Sequence, residues 1–119
     1  MSDIEVPPNL QEELAKLQQL QQTLQVIVAQ KQQVEVELTD VDKALEEIKK
    51  MPDDNPIYQA IGAFLVKKDK ESVIKELTER RELLTVRASV LGKQEERTRE
   101  RLKEVQQQIQ ARLRQQQLT

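Results

Sequence analysis

Asn55-Pro-Ile-Tyr-Gln-Ala-Ile-Gly-Ala-Phe-Leu-Val-Lys-Lys-Asp69, near the middle of a 119-residue chain, decides the fold. Ile57, Tyr58, Ile61, Phe64, Leu65 and Val66 crowd into this stretch and include the chain's only Tyr and only Phe. Aromatic and β-branched residues fit a pleated surface better than a helix. Gly62 supplies the permissive backbone that a tight reversal needs, with Ala63 beside it. The pattern predicts a strand over 57–61, a turn at Gly62-Ala63 and a strand over 64–67. A single two-stranded hairpin is marginal in water, and both faces of this one carry apolar residues. It needs partners, and the hairpins of other chains are the natural ones.

Both flanks have a different chemistry. Met1 to Pro8 reads as a short extended tail, because Pro7-Pro8 disfavours helix before it. Asn9 is a good N-cap, and Glu12 three residues later makes a variant of the capping box. From Leu10 a 3–4 spacing runs for nearly six heptads. Leu10, Leu17, Leu24, Lys31, Leu38 and Leu45 fall at a; Glu13, Leu20, Ile27, Val34, Val41 and Ile48 fall at d. Ten of these twelve are apolar, the pattern of a coiled-coil seam. Lys49 and Lys50 suit a helix C-terminus, and Pro52 stops it. A helix over about 9–51 would be roughly 60 Å long at 1.5 Å per residue.

After the turn cluster Met51–Pro56 and the hairpin (about 56–68), Asp69 is the expected N-cap of a second helix over about 69–117. Its a positions are Ile74, Arg81, Ala88, Glu95, Leu102 and Ile109, and its d positions Leu77, Leu84, Leu91, Thr98, Val105 and Arg112. Eight of the twelve are apolar. Gly92, beside the seam, costs about 1 kcal/mol against Ala. Two helices of similar length joined by a short insert fold back on each other. The expected fold is therefore mainly α: a long antiparallel two-helix coiled coil with one central β-hairpin, all in a single domain over 1–119. Placing Ile48 opposite Leu77 brings Lys31 close to Glu95. Either the two pair and fix the register, or both reach out to water.

Composition narrows the function. Aromatics are 2% and charged residues 34%, so two aromatics cannot fill the centre of a compact globule of this length. The net charge of −2 creates no field that attracts nucleic acid or anionic lipid. Without Cys, disulfides and thiolate metal sites are excluded; without His, most transition-metal sites and neutral-pH general bases lose their usual residue. No glycine-rich phosphate loop, P-loop lysine or nucleophile elbow is present. Asp53-Asp54 reads as a turn signal rather than a metal site. Arg97, Arg99, Arg101 and Lys103 are interrupted by Glu95, Glu96, Glu100 and Glu104, as on a salt-bridged helix surface, and no aromatic platform accompanies them. No enzyme, cofactor, nucleic-acid partner or membrane partner is expected. With no signal-peptide core, the expected location is cytoplasmic.

The helix ends remote from the hairpin are more informative. Leu17 to Gln30 runs fourteen residues without a charge, and Val105 to Ala111 runs seven. Leu14, Val26, Val28, Leu113 and Leu118 lie off the a/d seam. This tip offers apolar and amide surface with few charges to impose a partner, as interaction sites do; the bland alternative is frayed, Gln-rich helix ends. A second off-seam stripe, Leu83, Val86 and Val90, lies nearer the hairpin. It could meet a neighbouring subunit or cover the hairpin's underside.

Asn9-Leu-Gln-Glu-Glu-Leu, then Pro56-Ile-Tyr-Gln-Ala-Ile-Gly-Ala-Phe-Leu-Val-Lys, then Ile74-Lys-Glu-Leu and Glu95-Glu-Arg resemble the β-subunit family of prefoldin, over essentially the whole chain. The most specific part is Tyr58-x-x-Ile61-Gly62-x-x-Leu65-Val66 followed by Asp69. Many family members carry Asn after the glycine, where this chain has Ala63. The resemblance implies an ATP-independent cochaperone (a holdase) that hands unfolded proteins to a group II chaperonin. It implies a hexamer of two α-type and four β-type subunits whose hairpins pool into an oligomeric β-barrel hub. Ile57, Tyr58, Ala60, Ile61, Gly62, Phe64, Leu65 and Val66 become hub residues. Leu10, Leu14, Leu17, Leu20, Leu24, Val26, Val28, Val105, Ile109, Leu113 and Leu118 become the client-binding tip. The implied partners are the prefoldin α-type subunit, non-native protein clients and the chaperonin. The alternative is a structural or tethering coiled-coil scaffold with one specific folded partner; the uncharged tips favour the cochaperone, because specific coiled-coil pairing relies on flanking charges.

Overall fold

The computed structural model describes residues 6–118, with side chains through residue 116; the first five positions of the expected tail and the side chain of Leu118 lie outside the described residues. Helix α1 spans Pro8–Lys50, strand β1 Ile57–Ile61, strand β2 Phe64–Lys68 and helix α2 Lys70–Leu118. Antiparallel coiled-coil helices flank one hairpin, as the heptads and the aromatic insert require. Among the described residues no helix is long and apolar enough to cross a membrane.

The start of α1 differs from the Asn9 cap. Pro7 C=O accepts the Gln11 N–H at 3.0 Å, so Pro7 is the cap and Pro8 the first helical residue. Proline fits there because its missing N–H would have no intrahelical partner and its fixed φ is already helical. Asn9 is one position inside; its Oδ1 accepts the Leu10 N–H at 2.9 Å, and Gln11 Nε2 donates to Val6 C=O at 2.9 Å. At the other end the Met51 N–H donates to Ile48 C=O at 3.1 Å, and the Asn55 N–H to Pro52 C=O at 3.1 Å closes the turn that follows.

The described chain forms two compact units, Gln32–Val90 and a second one made of residues 6–31 and 91–118. In the first, Val34, Leu45 and Leu84 are buried, all at a or d. Arg80 pairs with Glu37 at 2.8 Å and Arg81 with Asp42, while Lys70, earlier on α2, meets Asp53 beyond the end of α1, so the helices run antiparallel. Arg81 is the one exposed a residue, because its guanidinium turns out to Asp42. Lys70 ties the base together: its ammonium donates to Met51 C=O at 2.8 Å and to Asp53 Oδ1 at 3.1 Å. A cation there meets the negative end of α1. Asp69 caps α2 as expected, its Oδ1 accepting the Ser72 N–H at 2.7 Å and its Oδ2 the Ser72 hydroxyl at 3.0 Å.

In the second unit Leu10, Val105 and Ile109 form a buried cluster with Leu17 and Leu20 packed against it. Ile27, Leu91 and Leu102 are also buried. Every one of these residues was assigned to a or d, so the 3.5-residue period located the core residue by residue.

The hairpin register pairs Ile57 with Lys68, Tyr58 with Lys67, Gln59 with Val66, Ala60 with Leu65 and Ile61 with Phe64. Gly62 has φ +59°, the only positive φ among the described residues. Positive φ at the first central residue alone defines a type II′ turn, in which the second position takes an ordinary L-residue such as Ala63. An Ala at Gly62 would carry a left-handed backbone, whereas a Cβ added at Gly92 meets nothing within 4 Å. Gly62→Ala should therefore destabilise by about 1–2 kcal/mol and Gly92→Ala stabilise by about 0.5–1 kcal/mol. Urea midpoints compared with wild type at constant slope check both signs; a destabilised Gly92→Ala would show that the glycine relieves a helix bend.

Candidate functional site

The hairpin and the tip both carry apolar surface that the seam leaves uncovered. Alternation places Ile57, Gln59, Ile61, Phe64, Val66 and Lys68 on one face and Tyr58, Ala60, Leu65 and Lys67 on the other. Phe64 is 75% exposed and Leu65 73%, and Tyr58, Ile61 and Val66 are exposed as well. Ile57 is half-buried, and Ala60 and Gly62 are exposed. A strand pair with apolar residues bare on both faces loses favourable burial that only further strands or another chain could supply.

The second region is the tip. The expected set divides here. Leu10, Val105 and Ile109 are buried between the helices, while Leu17, Leu20 and Leu24 are half-buried. Leu14, Val26, Val28 and Leu113 are exposed. Leu14, Val28 and Leu113 occupy e positions, directly beside the seam. Charged residues usually stand there; apolar ones widen the stripe beyond what one partner helix covers. A groove of about 550 Å³ runs beside this cluster, lined by Leu20 and Val105 together with Lys16, Gln19, Gln108 and Arg101. The groove was not foreseen, since its glutamines carry no periodic signal. Val36, also exposed, was likewise passed over.

Polar residues inside the seam set its register. Lys31 Nζ donates to Glu95 Oε1 at 3.0 Å, which decides between pairing and solvation in favour of pairing. Glu95 also accepts from Arg99 at 2.9 Å. The hydrogen bonds from Lys31 and then Arg99 hold the Glu95 carboxyl below its ordinary value of 4.5. Asp69 likewise lies below 3.8, chiefly through the Ser72 backbone N–H and hydroxyl. Nearer the tip Glu13 and Arg112, two of the three polar d residues, approach to 3.7 Å, with Lys16 at 4.0 Å. Glu13 is 7% exposed, and its Oε2 is buried with no hydrogen-bond partner among the described residues. Such an acceptor costs about 1–3 kcal/mol, so this layer weakens the tip locally. Thr98, the remaining polar d residue, returns its hydroxyl to Gln94 C=O at 2.8 Å. Among the described residues no cluster of Asp and Glu could hold a metal.

These features define a class: paired antiparallel helices that carry a bare two-faced hairpin and, in the other unit, apolar residues outside the seam. The family model described as prefoldin subunit matches residues 11–116, and the chain belongs to that family of chaperones. A prefoldin subunit beta of Archaeoglobus fulgidus is 51% identical over 106 residues, 89% of this chain and 91% of the relative. One from Pyrococcus horikoshii is 45% identical over 109 residues, 92% of this chain and 93% of the relative. The crystal structure of the prefoldin beta subunit from Thermococcus strain KS-1 is 44% identical and matches with a TM-score of 0.83, covering 92% of this chain and 96% of that one. Subunits of this kind assemble with other prefoldin subunits.

The acid limb of stability tests the ion pairs. Both carboxyls are depressed in the folded state. Their contribution is complete above the ordinary values of 4.5 and 3.8 and is lost as pH falls through the lower folded values. Glu95→Gln should melt earlier than wild type at neutral pH, and the gap should close as pH is lowered below that window. Melting temperatures taken across the acid range provide the check; a gap that stays constant with pH would mean that Glu95 acts through packing and not through its charge.

Proposed function

We propose that the chain is a β-type subunit of an ATP-independent holdase, which captures unfolded proteins at its coiled-coil tip and passes them to a group II chaperonin. The observation that carries this reading is the tip surface: Leu14, Val26, Val28 and Leu113 stay exposed, and Val26 and Val28 lie within fourteen successive residues of α1 that carry no charge. Apolar contact without charge selects for exposed apolar side chains in general and for no particular fold, which is what a non-native client offers. The groove beside Leu20 and Val105 can seat one such side chain. Leu10, Leu17, Leu20, Leu24, Val105 and Ile109 hold the two helices in place behind that surface.

Each tip binds weakly, and several tips on one assembly sum by multivalency. The bare hairpin supplies the assembly. Ile57, Tyr58, Ala60, Ile61, Gly62, Phe64, Leu65 and Val66 enter a β-barrel hub shared by two α-type and four β-type subunits, located in the cytoplasm. The whole chain works there as a single prefoldin-like domain, with the hairpin for assembly and the helix ends for clients.

The test is light scattering of a chemically unfolded protein diluted into buffer without ATP, in the presence of this chain and an α-type partner. Wild type should suppress the aggregation. A quadruple variant with Leu14→Ser, Val26→Ser, Val28→Ser and Leu113→Ser should lose most of that suppression. Each exposed substitution should change stability by no more than about 0.5 kcal/mol, and the oligomer should remain. Undiminished suppression by the variant would remove the tip from the mechanism. Unchanged aggregation with wild type in a well-formed oligomer would point to a tethering scaffold.

A further inference from the structure

Leu83, Val86 and Val90 are 61%, 64% and 48% exposed on α2. With Arg81 and Ala88 at a and Leu84 and Leu91 at d, they fall at c, f and c. Two-helix coiled coils leave these outward positions to polar residues. The same row continues through Glu76 and Glu79 toward the start of the helix and through Lys93 and Arg97 in the other direction, all of them exposed. One face of a single helix therefore reads acidic, acidic, apolar, apolar, apolar, basic, basic. Glu76 also meets Lys68 at 2.8 Å. Glu79, Lys93 and Arg97 make no ion pair among the described residues.

We propose that this row is a self-complementary docking face on which α2 of a second copy of the chain packs antiparallel, about a two-fold axis at Val86. That register sets Val86 against the partner copy's own Val86 and Leu83 against its Val90. Glu79 then faces Lys93 and Glu76 faces Arg97, each pair occurring twice by symmetry. Glu100, the next residue of the row, meets the neutral Ser72. A parallel arrangement would instead oppose glutamate to glutamate and lysine to lysine, so charge selects the direction. Three apolar side chains per copy make a contact below about 1,200 Å² in total, the range of weak, transient interfaces. The association is therefore concentration-dependent, and its flanking charges make it sensitive to salt. Because the helices oppose, the two hairpins lie at opposite ends of the contact. The face joins chains from separate assemblies, and it requires no client binding.

The chain has no cysteine, which makes the register directly readable. Leu83→Cys and Val90→Cys chains are prepared separately, checked for unchanged helicity, and oxidised at high protein concentration either alone or mixed. The proposal expects a disulfide between positions 83 and 90 in the mixture, identified by peptide mass, and little in either chain alone. Adding Glu79→Lys or Lys93→Glu to both chains should lower the yield by about tenfold, because each swap replaces two attractions with two repulsions; the double swap should restore it. Efficient 83–83 or 90–90 linkage, as in a parallel contact, overturns the proposal. So does the absence of any linkage, as when an α-type partner covers the row, or a double swap that stays as weak as the single ones.

Discussion

Two helices wound about each other can bury one stripe apiece, and no more. Side chains at a and d enter the seam; everything else on either helix faces outward and must be polar, or must find its cover in another molecule. Nothing in this chain relieves that limit, since it has one Phe, one Tyr and no Trp with which to build a second core. Each apolar residue outside the seam therefore raises the same physical question of what covers it. It arises for Phe64 and Leu65 on the hairpin, for Leu14, Val28 and Leu113 at the tip, and for Leu83, Val86 and Val90 on α2, among others.

Within the seam, polar residues act by excluding other alignments. A heptad repeat of leucines is nearly degenerate, because sliding one helix by seven residues restores most of the apolar contacts. Lys31 opposite Glu95 and Glu13 opposite Arg112 break that degeneracy, since any slip leaves a lysine or a buried carboxylate facing an aliphatic layer. The two pairs do this at different cost. Lys31 finds Glu95 at hydrogen-bond distance, and Arg99 completes the carboxylate. Glu13 is held only at ion-pair distance and keeps one oxygen unsatisfied. The register is thus fixed firmly at one layer and loosely at the other, and the loose layer is the one next to the tip.

Much of this was legible in the residues. The 3.5-residue period placed every buried aliphatic residue of the seam, and the pairing of Lys31 with Glu95 followed from aligning the helices on Ile48 and Leu77. Pattern reasoning works there because burial in a coiled coil is set by position in the repeat. It was less successful where the outcome depends on a single backbone bond or on the neighbouring helix. Asn9 looked like a cap, yet Pro8 draws the helix start back to Pro7, since φ there is fixed before any side chain is considered. The clasp of Lys70 on Met51 C=O has no sequence signature, because carbonyls at a helix end look the same in every sequence. The heptad also divided the described tip candidates, a and d residues packing and Leu14, Val26, Val28 and Leu113 facing water, whereas the groove beside Leu20 and Val105 depends on the facing helix and left no periodic mark.

The two uncovered ends differ in the kind of cover they can accept. Strand edges present backbone N–H and C=O groups in a fixed row, so what completes a hairpin must match it in direction and register. That demand suits a permanent, specific partner. A helix has no such row to offer, because its backbone hydrogen bonds are satisfied internally. The tip can present only side chains, here leucine, valine and glutamine, and these impose neither direction nor register on what they touch. The geometry that a partner must match is therefore strict at the hairpin and loose at the tip, because of the secondary structure each is built from.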